Sequence, residues 1–194
     1  MQKTPLFHIA IFASGTGSNA EKIMTFFESS ENISIALLVS NNKDAGVLNI
    51  AKKKKISILI IEKENFFNGD AYLPELKKHS INFIVLAGFL WKIPVTLIQA
   101  FPQAIINIHP ALLPAYGGKG MYGKHVHESV IAQHEKQSGI TIHYVDEIYD
   151  HGKIIFQEKC NLEKNETPDS LAAKIHQLEH TYFAPQIEKL LLSK

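Results

Sequence analysis

Asn107 and His109 are the residues whose types and spacing point most directly to chemistry. They stand two apart in Ile105-Ile106-Asn107-Ile108-His109-Pro110, an apolar, β-branched run. Side chains alternate across a strand, so Asn107 and His109 share one face while Ile106 and Ile108 anchor the other. Pro110 cannot donate to a ladder and turns the chain out. An Asn amide can hold a developing oxyanion, and a protonated imidazole offers both charge and a proton. Neither residue is read as a nucleophile, and the chain has no G-x-S-x-G elbow. Direct attack by a substrate amine on an acyl carbon is therefore expected, without an acyl-enzyme. A carboxylate beside the imidazole would orient it and favour its cation. Asp146, Glu147 and Asp150 all lie in one later loop, and spacing alone leaves the three open.

A second candidate site is Ser14-Gly15-Thr16-Gly17-Ser18-Asn19, which follows the first apolar run and leads directly into a segment of helical spacing. Glycines let the backbone approach an anion closely, and the unpaired N–H groups of a helix start favour a phosphate. Ser18 and Asn19 can add side-chain donors. The third glycine of a dinucleotide fingerprint is missing, the second strand ends in Ser40-Asn41-Asn42 rather than an acidic residue, and no Lys-Ser/Thr Walker pair is present. A single phosphate monoester fits better than a dinucleotide or ATP.

Positioning these residues requires a sheet. Apolar runs recur at Phe7 to Ala13, Ile33 to Ser40, Ile58 to Ile61, Phe83 to Ala87 and Ala104 to His109. Helical spacing lies between them at Ala20 to Phe27, Val47 to Lys54 and Tyr72 to Lys78. Continuous rather than alternating apolar strands are those buried on both faces. The expected fold is α/β, a Rossmann-like, mostly parallel sheet with helices on both faces. After the glycine-rich stretch Gly117 to Gly123 and a helix near His125 to His134, two strands, Gly139 to Val145 and Ile154 to Asn161, predict an antiparallel extension. A long C-terminal helix follows, with Thr167 as N-cap, Pro168 at its first position and Asp169 at the positive end of its dipole. Ligands on such sheets bind beyond the carboxyl ends of the strands, which points to the residues after Ala13, Ala87 and Ile108.

Composition narrows the classes. The chain has 194 residues, 45% hydrophobic and 20% charged, with a net charge of +1. These values read as one globular domain, 1–194, without a nucleic-acid or membrane partner. The run Lys52 to Lys55 is read as the wet face of a helix. One cysteine, Cys160, leaves no intrachain disulfide and reads as a core thiol. His125 and His127 lack a third ligand at a recognisable spacing, so no metal is expected. Trp91, just after a strand, could pack a planar ligand or cap the core. A cytoplasmic location is expected, since the N-terminus has no secretory h-region and no apolar run reaches membrane length.

The turn SGTGSN, the stretch VLAGFLWKI, the segment NIHPALLPAYGG, the loop HYVDEIYDHG and the late LEHTYFAP together resemble the phosphoribosylglycinamide formyltransferases of purine biosynthesis. The NIHPALLP type of segment is shared by the wider formyltransferase superfamily, whereas SGTGSN is specific to this branch. The resemblance implies transfer of a formyl group from 10-formyltetrahydrofolate to the amine of glycinamide ribonucleotide. It implies that Gly17, Ser18 and Asn19 hold the substrate phosphate and that Glu179 lies near the glycinamide. It assigns catalysis to Asn107, His109 and Asp150, choosing Asp150 among the three acidic candidates. It gives the folate to Leu90, Trp91, Lys92, Ile93 and Asn107, and to the loop Asp146, Glu147, Ile148 and Tyr149. A monomer or weak homodimer is expected. Methionyl-tRNA formyltransferase and formyltetrahydrofolate deformylase would carry a further C-terminal or N-terminal domain, and neither is expected here. Two departures stand out: Gly69 occupies the position of a family arginine that contacts the folate, and AYGGKGMYGKHVH is longer and richer in glycine than the common pattern.

Overall fold

A computed structural model describes residues 6–68 and 70–193; Gly69, the site of the missing arginine, lies outside them. The elements run β1 (Phe7–Phe12), α1 (Ser18–Phe26), β2 (Ile33–Ser40), α2 (Val47–Lys53), β3 (Ser57–Ile60), α3 (Lys63–Phe67) and α4 (Leu73–Lys78). They continue with β4 (Phe83–Leu86), α5 (Val95–Ala100), β5 (Ile105–His109), α6 (Lys124–Ala132), β6 (Gln137–Tyr144), β7 (Ile154–Asn161) and α7 (Pro168–Leu192). The strands form a seven-stranded sheet in the order β3-β2-β1-β4-β5-β6-β7. Pairing is parallel from β3 to β5 and antiparallel from β5 through β7. This is the Rossmann-like arrangement expected, with its antiparallel extension.

Alternation along the central strands divides the core. Ile9, Ile11 and Ala13 join a cluster completed by Ala20 and Ile23 of α1, Val47 of α2, Val130 of α6 and Ile175 and Phe183 of α7. Ala10 and Phe12 face the opposite cluster, completed by Phe66 of α3, Leu76 of α4 and Leu97 of α5. Helices therefore cover both faces, which is why the strands read as unbroken apolar runs. The chain order reverses between β1 and β4, so the loops leaving these strands diverge and open a crevice at the carboxyl end of the sheet.

Helices α3 and α5 were not anticipated from the sequence. Five and six residues long respectively, they are too short to repeat an apolar period, and the large apolar residues of α3, Phe66 and Phe67, are adjacent. Among the described residues no helix is long and apolar enough to cross a membrane. The start of α7 is as expected: Thr167 accepts from the Ser170 N–H at 3.1 Å, and the Ser170 hydroxyl accepts from the Thr167 N–H at 3.0 Å, a reciprocal cap. Replacing Thr167 with Ala should lower stability by about 1 kcal/mol, measured as a lower urea midpoint at unchanged slope.

Candidate active site

The candidate reacting groups stand where β5 ends and β6 passes antiparallel to it. In the register, Asn107 faces His143 and His109 faces Thr141. Ile106 and Ile108 point into one core cluster, so the strand is anchored from the face opposite its polar residues. Asn107 Nδ2 lies 3.2 Å from His143 Nε2, and His143 Nδ1 lies 2.8 Å from the Tyr144 carbonyl. A carbonyl only accepts, so in neutral His143 the proton sits on Nδ1 and Nε2 accepts from the Asn107 amide. One N–H of that amide is thereby engaged and the second stays free for a ligand. His143 was not singled out from the sequence. Its signal was alternation: Thr141 and His143 occupy one face of β6, but placing them opposite Asn107 and His109 required the antiparallel register.

Asp150 is the acidic residue brought to the histidines. Its Oδ2 is 3.6 Å from His109 Nδ1 and its Oδ1 is 3.6 Å from His143 Nε2. The Gly118 N–H donates to Oδ2 at 2.9 Å, and His109 Nε2–H donates to the Tyr116 carbonyl at 2.8 Å. Burial pushes the Asp150 carboxyl up, but the neighbouring His143 and His109 imidazoles in their protonated forms and the Gly118 N–H together hold it below its usual range. For His109 the balance is reversed. Burial, its largest influence, holds the imidazole below its usual value, although the Asp150 charge and the Tyr116 carbonyl push it up; His143 adds to the lowering. The upward pull expected of an adjacent carboxylate is present and is outweighed. With only 4% of the His109 side chain exposed, loss of solvation wins.

The phosphate candidates form the other end of the same cleft. Gly17, at the N-cap of α1, has φ 86°, a region that other residues rarely adopt. A Cβ there would sit 2.4 Å from Val47 Cγ2 and 2.9 Å from Val47 Cα, so the turn packs directly on the start of α2. Ser18 and Asn19, at the start of α1, line the cleft, and the unpaired N–H groups and dipole of a helix start favour negative charge. The Asn19 side chain, anticipated as a phosphate donor, has one N–H engaged by Glu179 Oε2 at 2.8 Å. Glu179 is buried, and burial raises its carboxyl above the usual range despite that hydrogen bond. His127 and His176 also line this end. Neither histidine was anticipated from the sequence as part of this cleft, and among the described residues no cluster is built to hold a metal.

Between the two ends runs a cleft of about 550 Å³, within the range of small-molecule sites. Leu90, Trp91, Lys92 and Ile93 form one wall and Asp146, Ile148 and Tyr149 the facing one. Trp91 belongs to an aromatic cluster with Phe66, Phe67 and Phe89, so it both caps the core and borders the cleft. The Leu90 N–H is engaged by the Ser14 hydroxyl at 3.0 Å. Every site residue anticipated from the sequence lines this cleft except Glu147. The Asp146 carboxylate accepts from the Ile148 N–H at 2.9 Å; this Asx turn puts Glu147 at its exposed apex.

A family model described as formyl transferase matches residues 7–187. The chain belongs to the formyl transferase family. Among curated relatives, the chloroplastic phosphoribosylglycinamide formyltransferase of Arabidopsis thaliana is 42% identical over 181 residues, covering 90% of this chain and 62% of the relative. The Bacillus subtilis (strain 168) phosphoribosylglycinamide formyltransferase is 38% identical over 187 residues, covering 94% of this chain and 93% of the relative. The chain spans 62% and 60% of the length of the Arabidopsis and Vigna unguiculata relatives it matches. Among solved structures, the phosphoribosylglycinamide formyltransferase of Bacillus halodurans superposes with a TM-score of 0.86 at 36% identity, covering 95% of each chain. The formyl transferase fold seen in these relatives is the one built here.

Acid sensitivity follows from the buried imidazoles. Burial lowers both His109 and His127 from 6.5, so the folded state binds fewer protons than the unfolded chain. Stability from these groups is complete above about pH 6.5 and is lost as pH falls through their lowered folded values. The thermal midpoint should therefore hold near neutrality and drop below about pH 6.5. His127→Gln should flatten part of that drop, followed by calorimetry across pH.

Proposed function

We propose that the chain transfers the formyl group of 10-formyltetrahydrofolate to the primary amine of phosphoribosylglycinamide. The observation carrying this reading is the union, in one cleft, of a helix N-terminus suited to a phosphate monoester with an Asn107–His109–Asp150 cluster suited to an oxyanion and a proton. The donor fits the space between them. A flat, largely apolar ring system suits the walls made by Leu90, Ile93 and Ile148, with Trp91 at the border. Family membership supports formyl transfer, and the names of the matched relatives support this acceptor.

In this reading Gly17, Ser18 and Asn19 hold the phosphate through backbone N–H groups, while Glu179 borders the glycinamide and is steadied by Asn19. The amine attacks the formyl carbon, forming the new N–C bond. The free N–H of Asn107 and the His109 imidazolium stabilise the oxyanion. Asp150 accepts the proton shed by the amine and, with His109, delivers it to the departing folate nitrogen as the old C–N bond breaks. Burial lowers the proton affinity of His109 in the free protein. Proton uptake at Nδ1, the ring nitrogen facing Asp150, is therefore coupled to the arrival of negative charge.

Turnover should be tested with 10-formyltetrahydrofolate in the presence and absence of the ribonucleotide. Folate deformylation that depends on the ribonucleotide is expected; release of formate independent of it would reassign the chain as a hydrolase. Asn107→Ala and His109→Ala should each lower kcat by about 10²–10³, and near-normal turnover in either would remove that residue from the mechanism. Asp150→Asn should lower kcat and displace the acidic limb of the pH–rate profile.

A further inference from the structure

His109 and Asp150 are not held by side chains alone. Three consecutive residues of the segment leaving β5 touch both of them. The Tyr116 carbonyl accepts from His109 Nε2–H at 2.8 Å, and the Gly118 N–H donates to Asp150 Oδ2 at 2.9 Å. Gly117 lies so close that a Cβ on it would sit 3.1 Å from Asp150 Cβ and 2.6 Å from Leu113 Cδ2. The start of the segment is pinned to the sheet: the Leu113 N–H donates to Thr141 Oγ1 at 3.0 Å, and Gln157 Nε2 donates to the Leu113 carbonyl at 2.9 Å. Its end runs into a stretch where Gly118, Gly120 and Gly123 all have positive φ. Main-chain groups contact the pair here, so something must fix the main chain at Tyr116.

Tyr116 itself has φ 58°, a left-handed conformation uncommon for a residue with a Cβ and one that persists where its surroundings enforce it. Asp150, the other partner of His109, has φ 54°. The Tyr116 side chain supplies an enforcing contact. Its ring packs against the larger core cluster, and its hydroxyl donates to Glu135 Oε1 at 2.7 Å. Glu135 lies in the turn after α6, exposed and outside the cleft lining.

We infer that the Tyr116–Glu135 hydrogen bond clasps the segment whose backbone orients His109 and Asp150, which makes Tyr116 and Glu135 positioning residues for the transfer. The clasp rests on the reading of His109 and Asp150 as the reacting pair. It holds across the working pH range, because burial and the neighbouring Glu135 push the Tyr116 phenol up to about 12, so the phenol stays a donor. Three titratable groups bear on His109: Asp150 from the loop after β6, His143 from β6 and His127 from α6. With the clasp broken, His109 loses the Tyr116 carbonyl, Asp150 loses the Gly118 N–H, and water reaches both, so the proton affinities of the pair change together.

The test compares Tyr116→Phe, Glu135→Ala, Glu135→Gln and the double variant Tyr116→Phe/Glu135→Ala, each checked for native circular dichroism. Single loss of the clasp should lower kcat by roughly 10-fold or more while the KM for the ribonucleotide stays within about 2-fold, as expected for misplacement of reacting groups. The acidic limb should be displaced from its position in the parent, and the double variant should be no worse than the singles. Glu135→Gln keeps an acceptor oxygen and should recover kcat to within about 2-fold of the parent. ¹⁵N-histidine spectra of the ligand-free protein give a readout that does not depend on the substrate. The His109 Nε2–H signal should be sharp in the parent and in Glu135→Gln, and broadened in Tyr116→Phe and Glu135→Ala. An unchanged His109 signal in folded Tyr116→Phe and Glu135→Ala, or losses that simply add in the double variant, would overturn the clasp. A parent protein with no ribonucleotide-dependent turnover would overturn the proposed function instead and leave the spectra to decide the clasp.

Discussion

The junction between β5 and β6 is where a parallel sheet becomes antiparallel, and the cleft is organised around that change of direction. Parallel strands deliver their carboxyl ends to one rim of the sheet. An antiparallel neighbour brings a strand running back from that rim, so residues from two strands meet side chain to side chain at the same height. Asn107 and His143 are such a pair, 3.2 Å apart. The turn from β6 into β7 then returns Asp150 over them. Without the reversal, β5 would present Asn107 and His109 with no histidine opposite and no carboxylate above.

Burial sets the electrical character of this group. Two imidazoles and a carboxylate share a space in which the His109 side chain is 4% exposed and Asp150 11% exposed. In such surroundings a charge is tolerated only with partners, and each partner's own desolvation counts against it. The outcome differs for the two ions. Asp150 has a backbone donor and two imidazoles able to take up a proton beside it, and its carboxyl is held below its usual range, whereas His109 has one carboxylate and one carbonyl and burial holds it below its usual value. An acid and a base with offset proton affinities are thereby set side by side, the arrangement needed to pass a proton along rather than to store one.

Much of this was legible in the sequence because it obeys short-range rules. The faces of Asn107, Ile106 and Ile108 follow from strand alternation, and the cap at Thr167 from the Thr-Pro-Asp-Ser run. The family resemblance selected Asp150 where spacing left three acidic residues open. What stayed hidden depends on distant pairing. His143 acquires its meaning only from the β5–β6 register, and the sign of the His109 shift depends on how completely two strands and a loop exclude water. The Asn19 side chain turned to Glu179, a partner 160 residues away. Glu147 looked equal to its neighbours until the Asx turn at Asp146 set it outside.

The contact between Gly17 and Val47 ties the glycine turn after β1 to the start of α2. Because the start of α2 fills the space a side chain on Gly17 would occupy, and the Val47 N–H donates to the Gly15 carbonyl at 3.2 Å, the turn is part of the packing between α1 and α2. A loop of that kind behaves as a ledge already cut to shape, so the anion proposed to bind there would meet fixed donors and lose little ordering entropy on binding. The same fixity limits adaptation. Enlarging the turn to admit a bulkier anion would displace α2 and, through it, the edge strand β3. The shape of the glycine turn and the integrity of that side of the sheet are one mechanical unit.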